Sequence, residues 1–463
     1  MTVSEPAWDV LIVGGGPAGT ATALELTRRS SLSVLVAESG NYEQPRVGET
    51  LSPAARGLLG HLGVHLDDDG HLPAYGTSAA WGSERLEARD FLLTPFGTGW
   101  LLDRRRFDQR LAQAARVSGA DLWPRSRVRG VTRAGDGFTA SVHRPDGSIC
   151  PVRARFVVDA TGKAAAVARR LGAEQRRLDA LTGIAVTLHY LGDPPADRLT
   201  QVESFEHGWS YTTALPQQAL IAVLMTDADL ARTQRLTSPD VWRELLAGLP
   251  HTGPRLAGGT PAGPPRVLPA HSACLIQPSG PGWVAVGDAA ASHDPLSATG
   301  IVRALDSGIQ AGRAIHATLV DGDPEALAGY ARRQDAAFDQ YCDTRTAYYR
   351  METRWPAALF WHRRHRAVSL DPGQPLVAVP GQRMPRLPAD LRHVDAARLL
   401  TLAAPGGTGH ELASRYRAEA ARPVRDLDLV LALQWLAATG SLAAVAEARQ
   451  DSARRASVTR CFR

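Results

Sequence analysis

Three glycines spaced as Gly14-x-Gly16-x-x-Gly19, with the carboxylate of Glu38 about two dozen residues after the first, suit a ribose-linked diphosphate. Gly14 permits a tight turn, Gly16 lets the backbone approach the phosphates, and Gly19 lets the following helix pack close to its strand. The helix start offers unpaired N–H groups and the positive end of its dipole, and Glu38 can accept hydrogen bonds from ribose hydroxyls. This fingerprint does not separate NAD from FAD. A second stretch, GDAAASHDPLSATG (287–300), bears on that choice. Asp288 stands where a carboxylate can bind a sugar-like ribityl chain, and Pro295 stiffens the approach. Thr299 and Gly300 open a helix whose free N–H groups would face the pyrimidine edge of a flavin, which is anionic when reduced.

The elements around these residues follow from hydrophobic patterning. Val10–Val13 reads as an apolar strand, Ala18–Arg28 as an amphipathic helix and Ser33–Ala37 as a second strand, together a βαβ unit. Trp283–Val286 reads as a buried strand feeding the second turn, and Ile301–Leu319 as the helix after it. AVTLHYL (185–191) and ALIAVLM (219–225) read as strands of an antiparallel sheet. The Pro- and Gly-rich segment 253–269 reads as a linker. Helical patterns occupy 324–366, 390–401, 409–421 and 426–438, with a Pro-rich bridge at 371–388. GGTG (406–409) has no βαβ unit around it and is not a second dinucleotide turn.

The 463 residues leave room for about three domains of roughly 150 residues. No apolar run reaches the roughly 18 residues of a membrane span, and the N-terminus lacks the pattern of a signal peptide, so a cytoplasmic protein is expected. Cys150, Cys274, Cys342 and Cys461 form no C-x-x-C pair and signal neither a disulfide framework nor a metal site. The formal net charge is +5, and from Arg332 onward 21 Arg stand against 13 Asp and Glu. That basic end is either a solvated surface or a docking face for an acidic partner. No Lys/Arg cluster interleaves with stacking aromatics, which argues against nucleic acid.

The pair GGGPAG and GDAAA-x-x-DPLSATG resembles the FAD-dependent aromatic hydroxylase and tryptophan halogenase superfamily. LLDRRRFDQRLAQAA (101–115) is similar to its segment with a cofactor-contacting arginine, here Arg104, and FVVDATG (156–162) resembles the strand that closes the cofactor domain, with Asp159 in it. PRVGETLSP (45–53) resembles the strap between flavin and substrate, which puts Gly48 and Glu49 near the reactive centre. The resemblance implies an α/β fold: a Rossmann-like FAD-binding domain of the glutathione-reductase type, a β-sheet substrate domain and a small C-terminal helical domain. The FAD-binding domain is expected from 1–60, 100–180 and 270–330, and the substrate domain from 61–99 and 181–269. A C-terminal region covers 331–463, its small docking domain beginning at about 385.

The halogenase branch needs a substrate-side lysine and a W-x-W-x-I-P motif. The only lysine here is Lys163, beside the ATG turn, and GWSYTTALP (208–216) departs from the motif at Tyr211. The family chemistry that remains is hydroxylation: reduced FAD and O2 give a flavin C4a-hydroperoxide, whose distal oxygen an aromatic ring attacks. His293 and Glu49 are the candidate catalytic residues, and Trp81, Trp209 and Tyr211 the candidate substrate contacts, although each could instead be structural. No NAD(P)H domain is visible, so electrons would come from a transiently bound NAD(P)H, externally reduced flavin or a flavin reductase partner. The segment 74–108 resembles the flavoprotein monooxygenases of tryptophylquinone biogenesis, of the quinohemoprotein amine dehydrogenase maturation type. That implies a protein substrate, a peptidyl tryptophan in a tryptophylquinone enzyme subunit. A small-molecule aromatic hydroxylase or halogenase-like enzyme, and a geranylgeranyl-reductase-like flavoenzyme, are the alternatives.

Overall fold

A computed structural model describes residues 7–365 except 45, 67–69, 92–95, 193 and 195–196, and beyond them 375–379, 387, 391, 393–420, 422–438 and 441–444. It divides into two compact units, Met1–Trp361 and His362–Arg463. The first is built on a sheet in which Ala7–Val13 lies between Val34–Ala37 and Ile149–Asp159, with Asp121–Trp123 and Trp283–Ala285 outside them, all parallel. Strands covered on both faces can be apolar at every position, and Val10, Leu11, Ile12 and the whole of Val34–Ala37 are buried. The register aligns Val13 with Ala37 and Asp159, and Asp159 with Ala285. Four carboxyl ends therefore stop level with one another, and Gly14, Glu38, Ala160 and Val286 leave the sheet along one edge. In open α/β sheets that edge is where ligands bind.

Two long helices, Pro17–Arg29 and Gly300–Leu319, pack together on this sheet. A Cβ at Gly308 would lie 2.4 Å from the Ala18 carbonyl oxygen and 2.8 Å from Ala21 Cβ, and one at Gly312 would lie 2.8 Å from Glu25 Cβ. Contacts that advance along both helices in the same direction make them parallel. Gly308 faces Ala18 but is the ninth residue of its own helix, so at 1.5 Å per residue the second helix begins about 10 Å beyond the first. Glu25 pins the pair, accepting from Arg29 at 2.6 Å and Arg313 at 3.0 Å and pairing with His61 at 2.6 Å.

The second large sheet runs antiparallel through Leu181–His189, Ala219–Asp227, Gly208–Leu215 and Leu199–Phe205, then parallel to Gly76–Ala80, which pairs with Glu87–Asp90. The two segments read as strands at 185–191 and 219–225 pair directly, Ala185 opposite Val223. Alternation sends Ile184, Val186, Leu220, Ala222 and Leu224 under helix Pro239–Ala247, and Trp209, Ile221, Val223 and Met225 to the other face against Tyr349, Phe360 and Trp361.

Helix Ala326–Met351 belongs to this first unit, so the boundary placed at 331 from sequence falls instead after Trp361. The helical reading of 324–366 is broken at Glu352, whose carboxylate leaves the helix to accept from Gly82 N–H at 2.9 Å and Ser204 Oγ at 2.6 Å. The second unit begins before the expected 385 and is not wholly helical: strand Pro375–Ala378 pairs with Gly407–Thr408 and Leu442–Ala444 beside helices Ala396–Ala403, Gly409–Glu419 and Asp426–Ala438. GGTG ends in a capping box between Thr408 and Glu411. Of the Pro-rich bridge 371–388, only 375–379 and 387 lie among the described residues, and Cys461 lies outside them. Among the described residues no helix is long and apolar enough to cross a membrane.

Because Gly308 meets backbone, Gly308→Leu must push the two helices apart. It is expected to destabilise the first unit by about 1–3 kcal/mol, read as a drop of several degrees in thermal midpoint.

Candidate active site

At the level strand ends the glycines have separate tasks. Gly14 has φ +111° and sits so close to Ala160 that a Cβ would lie 2.2 Å from its carbonyl oxygen, and a Cβ on Gly19 would lie 2.0 Å from the Gly14 oxygen. A Cβ on Gly16 would meet only the Arg46 guanidinium, at 3.6 Å, so this glycine opens outward beside a cation. Glu38 is buried, accepting Gly15 N–H at 2.6 Å and Gly40 N–H at 2.7 Å. Arg46 lies 3.4 Å from Glu38 and 3.3 Å from Asp108. Tyr42 stands over Gly15, 6% exposed, at φ +64°, and its hydroxyl makes no hydrogen bond within the protein. A buried orphan hydroxyl on a strained backbone is costly, and it faces the loop where a diphosphate-ribose would lie.

Asp159, expected to face a cofactor, is wholly engaged inside the protein. Its carboxylate accepts from Thr161 N–H at 2.9 Å and Oγ1 at 2.6 Å, from Val167 N–H at 2.9 Å and from Ala168 N–H at 2.7 Å. It fixes the turn against which Gly14 rests, and its role is positional.

The second turn opens at Gly287, φ +56°, whose N–H donates to Ser307 Oγ at 2.9 Å. Asp288 is half exposed, with Lys163 Nζ 3.9 Å away, and that ammonium donates to the His271 carbonyl at 3.1 Å. Pro295 starts a short 3-10 turn capped by Asp294, whose carboxylate accepts Leu296 N–H at 3.0 Å. Thr299 is the N-cap residue of helix Gly300–Leu319 but caps no N–H with its side chain, its hydroxyl pairing with Ser297 Oγ at 2.8 Å. Helix Pro17–Arg29 likewise has no side-chain cap. Two helix starts thus keep donors for an anion. His293 stacks on Tyr341 with ring centroids 3.6 Å apart, and its Nε2 is buried without a partner. Burial, reinforced by the Arg303 and Lys163 charges, pushes its pKa far below the usual histidine range and keeps the ring neutral.

Between the turns lies the strap. Gly48 has φ +94°, and Arg104 donates to the carbonyls of Val47 and Gly48 while its guanidinium bridges to Asp108 at 3.2 Å. Arg104 therefore holds the strap rather than standing free. Glu49 is 3% exposed and accepts Gly48 N–H at 3.0 Å, with the Tyr211 hydroxyl 3.5 Å away. Burial raises the Glu49 pKa above the ordinary glutamate range, and burial beside Glu49 raises that of Tyr211. Val47 of the strap and Leu296 of the second turn pack into one apolar cluster with Tyr211, Trp209 and Trp81. Strap, turn and sheet therefore close on a water-poor space.

Trp209 does not line that space as a substrate wall. It is 1% exposed, and its indole N–H donates to Tyr349 Oη at 3.1 Å. Trp81 is half-buried against Trp209 and Trp361, its N–H donating to the Tyr348 carbonyl at 2.7 Å. Tyr211, through Glu49, is the expected substrate contact that the fold does bring to the strap. Tyr42, Arg46, Asp108, Asp294 and the side chains of helix Ala326–Met351 escaped the sequence reading. Only the DP dipeptide at Asp294–Pro295 carried a local signal.

Residues 7–188 match the family model for the FAD binding domain. The chain is 30% identical over 363 residues to "Putative FAD-dependent oxidoreductase LodB" of Marinomonas mediterranea, covering 78% of this chain and 97% of that protein. It is 23% identical over 366 residues to a tryptophan 2-halogenase of Chondromyces crocatus, covering 76% of this chain and 69% of that protein. Among solved structures, the myxobacterial chondrochloren halogenase CndH shares the fold, with TM-score 0.72 and 24% identity over 78% of this chain and 86% of that one. The residues present fit FAD. Gly16, Arg46 and the Pro17 helix start would hold the diphosphate, Glu38 and Tyr42 the ribose, Asp288 the ribityl chain, and Thr299–Gly300 the pyrimidine edge.

Because the Tyr42 hydroxyl has no partner in the protein, Tyr42→Phe is expected to leave the thermal midpoint of the FAD-free protein unchanged or slightly raised. FAD affinity by fluorescence titration should weaken about three- to tenfold. Glu49 gives a pH test. A carboxyl whose pKa is raised on folding adds stability at low pH that is lost as pH rises from its ordinary value of 4.5 through the folded value. Glu49→Gln should melt with the wild type near about pH 4 and several degrees above it near about pH 8.

Proposed function

We propose that this chain, which belongs to the FAD-dependent oxidoreductases related to LodB within the aromatic hydroxylase and halogenase superfamily, is a monooxygenase that hydroxylates an aromatic ring, a peptidyl tryptophan in a tryptophylquinone enzyme subunit. The observation that carries hydroxylation over halogenation is the placement of the sole lysine. Lys163 donates to the His271 carbonyl beside Asp288, on the cofactor turn, so no ammonium is left to guide a halogenating species to substrate. The peptidyl substrate is supported by the likeness of segment 74–108 to tryptophylquinone-maturing flavoproteins and by a basic C-terminal region suited to an acidic partner.

Bound FAD would supply the two-electron store and the activation of O2. The reaction replaces a ring C–H by C–OH, sends the second oxygen atom to water, and draws two electrons from NAD(P)H, externally reduced flavin or a reductase. The chain's own groups fit that balance. The helix start at Thr299–Gly300 would favour negative charge on a pyrimidine edge held there. Glu49, whose pKa burial raises, is the group at the strap placed to donate a proton, and the neutral His293 ring can orient substrate beside the second turn. The strap and the Tyr211 cluster exclude water, which protects the reaction from unproductive loss of reduced oxygen.

Mass spectrometry under ¹⁸O₂, with reduced flavin supplied and an unmatured tryptophylquinone-enzyme subunit beside free tryptophan, tests the proposal. Labelled oxygen on the peptide's tryptophan is the expected result. Label on the free amino acid alone would make the chain a small-molecule hydroxylase, and substrate reduction indifferent to oxygen would make it a reductase.

A further inference from the structure

Helix Ala326–Met351 lies outside the matched FAD-binding segment, yet one stripe of it grips the turn that would carry the flavin's reactive end. Tyr341, Arg345 and Tyr349 recur at four-residue spacing and so share a helix face. All three reach His293–Asp294. Asp294 N–H donates to the Tyr341 hydroxyl at 2.7 Å, which also pairs with Ser272 Oγ at 2.6 Å while the ring stacks on His293. Arg345 lies 2.8 Å from Asp179 and 3.5 Å from Asp294. Tyr349 Oη donates to that same Asp294 oxygen, Oδ2, at 2.6 Å and accepts the Trp209 indole N–H at 3.1 Å. Asp294 is 1% exposed, and its remaining oxygen caps the Pro295–Ser297 turn through Leu296 N–H.

We infer that Tyr349 is a positioning residue for the flavin. A continuous chain runs from the Trp209 N–H through the Tyr349 hydroxyl to the Asp294 carboxylate, and from there into the Pro295–Gly300 turn. It fixes where the uncapped start of helix Gly300–Leu319 stands, and it anchors that start to the sheet carrying Tyr211. A buried carboxylate must have its acceptor sites filled, so loss of the Tyr349 hydroxyl forces Asp294 to seek another donor and the turn to shift with it. A helix start moved away from the pyrimidine edge stabilises the reduced, anionic flavin less, which lowers the midpoint potential. The inference rests on FAD lying at this turn and is independent of which aromatic is hydroxylated.

The test is Tyr349→Phe in the full-length protein loaded with FAD. FAD affinity is expected to stay within about threefold of wild type, because Gly16, Arg46 and Glu38 are untouched, while the bound flavin's visible spectrum shifts and its midpoint potential falls. Oxygen consumed per hydroxylated product should rise, with kcat reduced and the KM for the electron donor unchanged. Asp294→Asn, which keeps the size of the side chain, is the second variant should Tyr349→Phe not fold, and the same spectral and potential changes are expected of it. A folded, FAD-loaded variant of either kind with wild-type spectrum and potential would overturn the inference, even if it melted at lower temperature.

Discussion

The site depends on how closely two parallel helices approach. Gly308 and Gly312 let helix Gly300–Leu319 settle against Ala18, Ala21 and Glu25 with backbone nearly touching backbone. The register of that contact staggers two uncapped helix starts by about 10 Å along one direction, over strand ends that stop level at Val13, Ala37, Asp159 and Ala285. A molecule with a diphosphate at one end and an anionic ring edge at the other matches this stagger. A mononucleotide would use only the first helix start.

Around that frame, burial does most of the chemistry. Glu49, Asp294 and His293 are all withdrawn from water, which penalises their charged forms. Their partners separate their roles. Asp294 is met by Tyr349, Arg345 and a backbone N–H, and so acts as a fixed acceptor. Glu49 accepts Gly48 N–H, with its own N–H, the Arg104 charge and the Tyr211 hydroxyl also acting on it, and His293 Nε2 has no partner within the protein. Glu49 borders the strap and His293 the second turn, where a substrate ring and a flavin would meet. Groups needed only for shape, such as Asp159, are saturated with hydrogen bonds.

Much of this was legible before any coordinates. The glycine spacing is a local steric code: Gly14 and Gly19 meet backbone atoms that forbid a side chain, and Gly16 opens outward toward Arg46. The segments 185–191 and 219–225 read as strands because both faces are covered, one by a helix and the other by an aromatic cluster, which leaves near-continuous apolar runs; that they pair with each other is seen only in the fold. What escaped was set by distant packing. A tryptophan in a sheet reads alike whether it lines a pocket or fills a core, and Trp209 is core because Tyr349, 140 residues away, takes its N–H. The Tyr341, Arg345 and Tyr349 stripe lies in a segment that reads from sequence only as helical, because its partners at 293–294 are about fifty residues away in the chain. That same stripe places helix Ala326–Met351 in the first unit rather than the C-terminal region.

A crystal structure of the protein with FAD bound tests the central claim most directly. The account predicts one flavin per chain, its diphosphate oxygens within hydrogen-bonding distance of the Gly16 and Ala18 N–H groups and of Arg46. Its pyrimidine edge should face the N–H groups at 299–301, with the Tyr42 hydroxyl now hydrogen-bonded. A flavin held elsewhere, or one presenting its dimethylbenzene edge to Thr299, would contradict it.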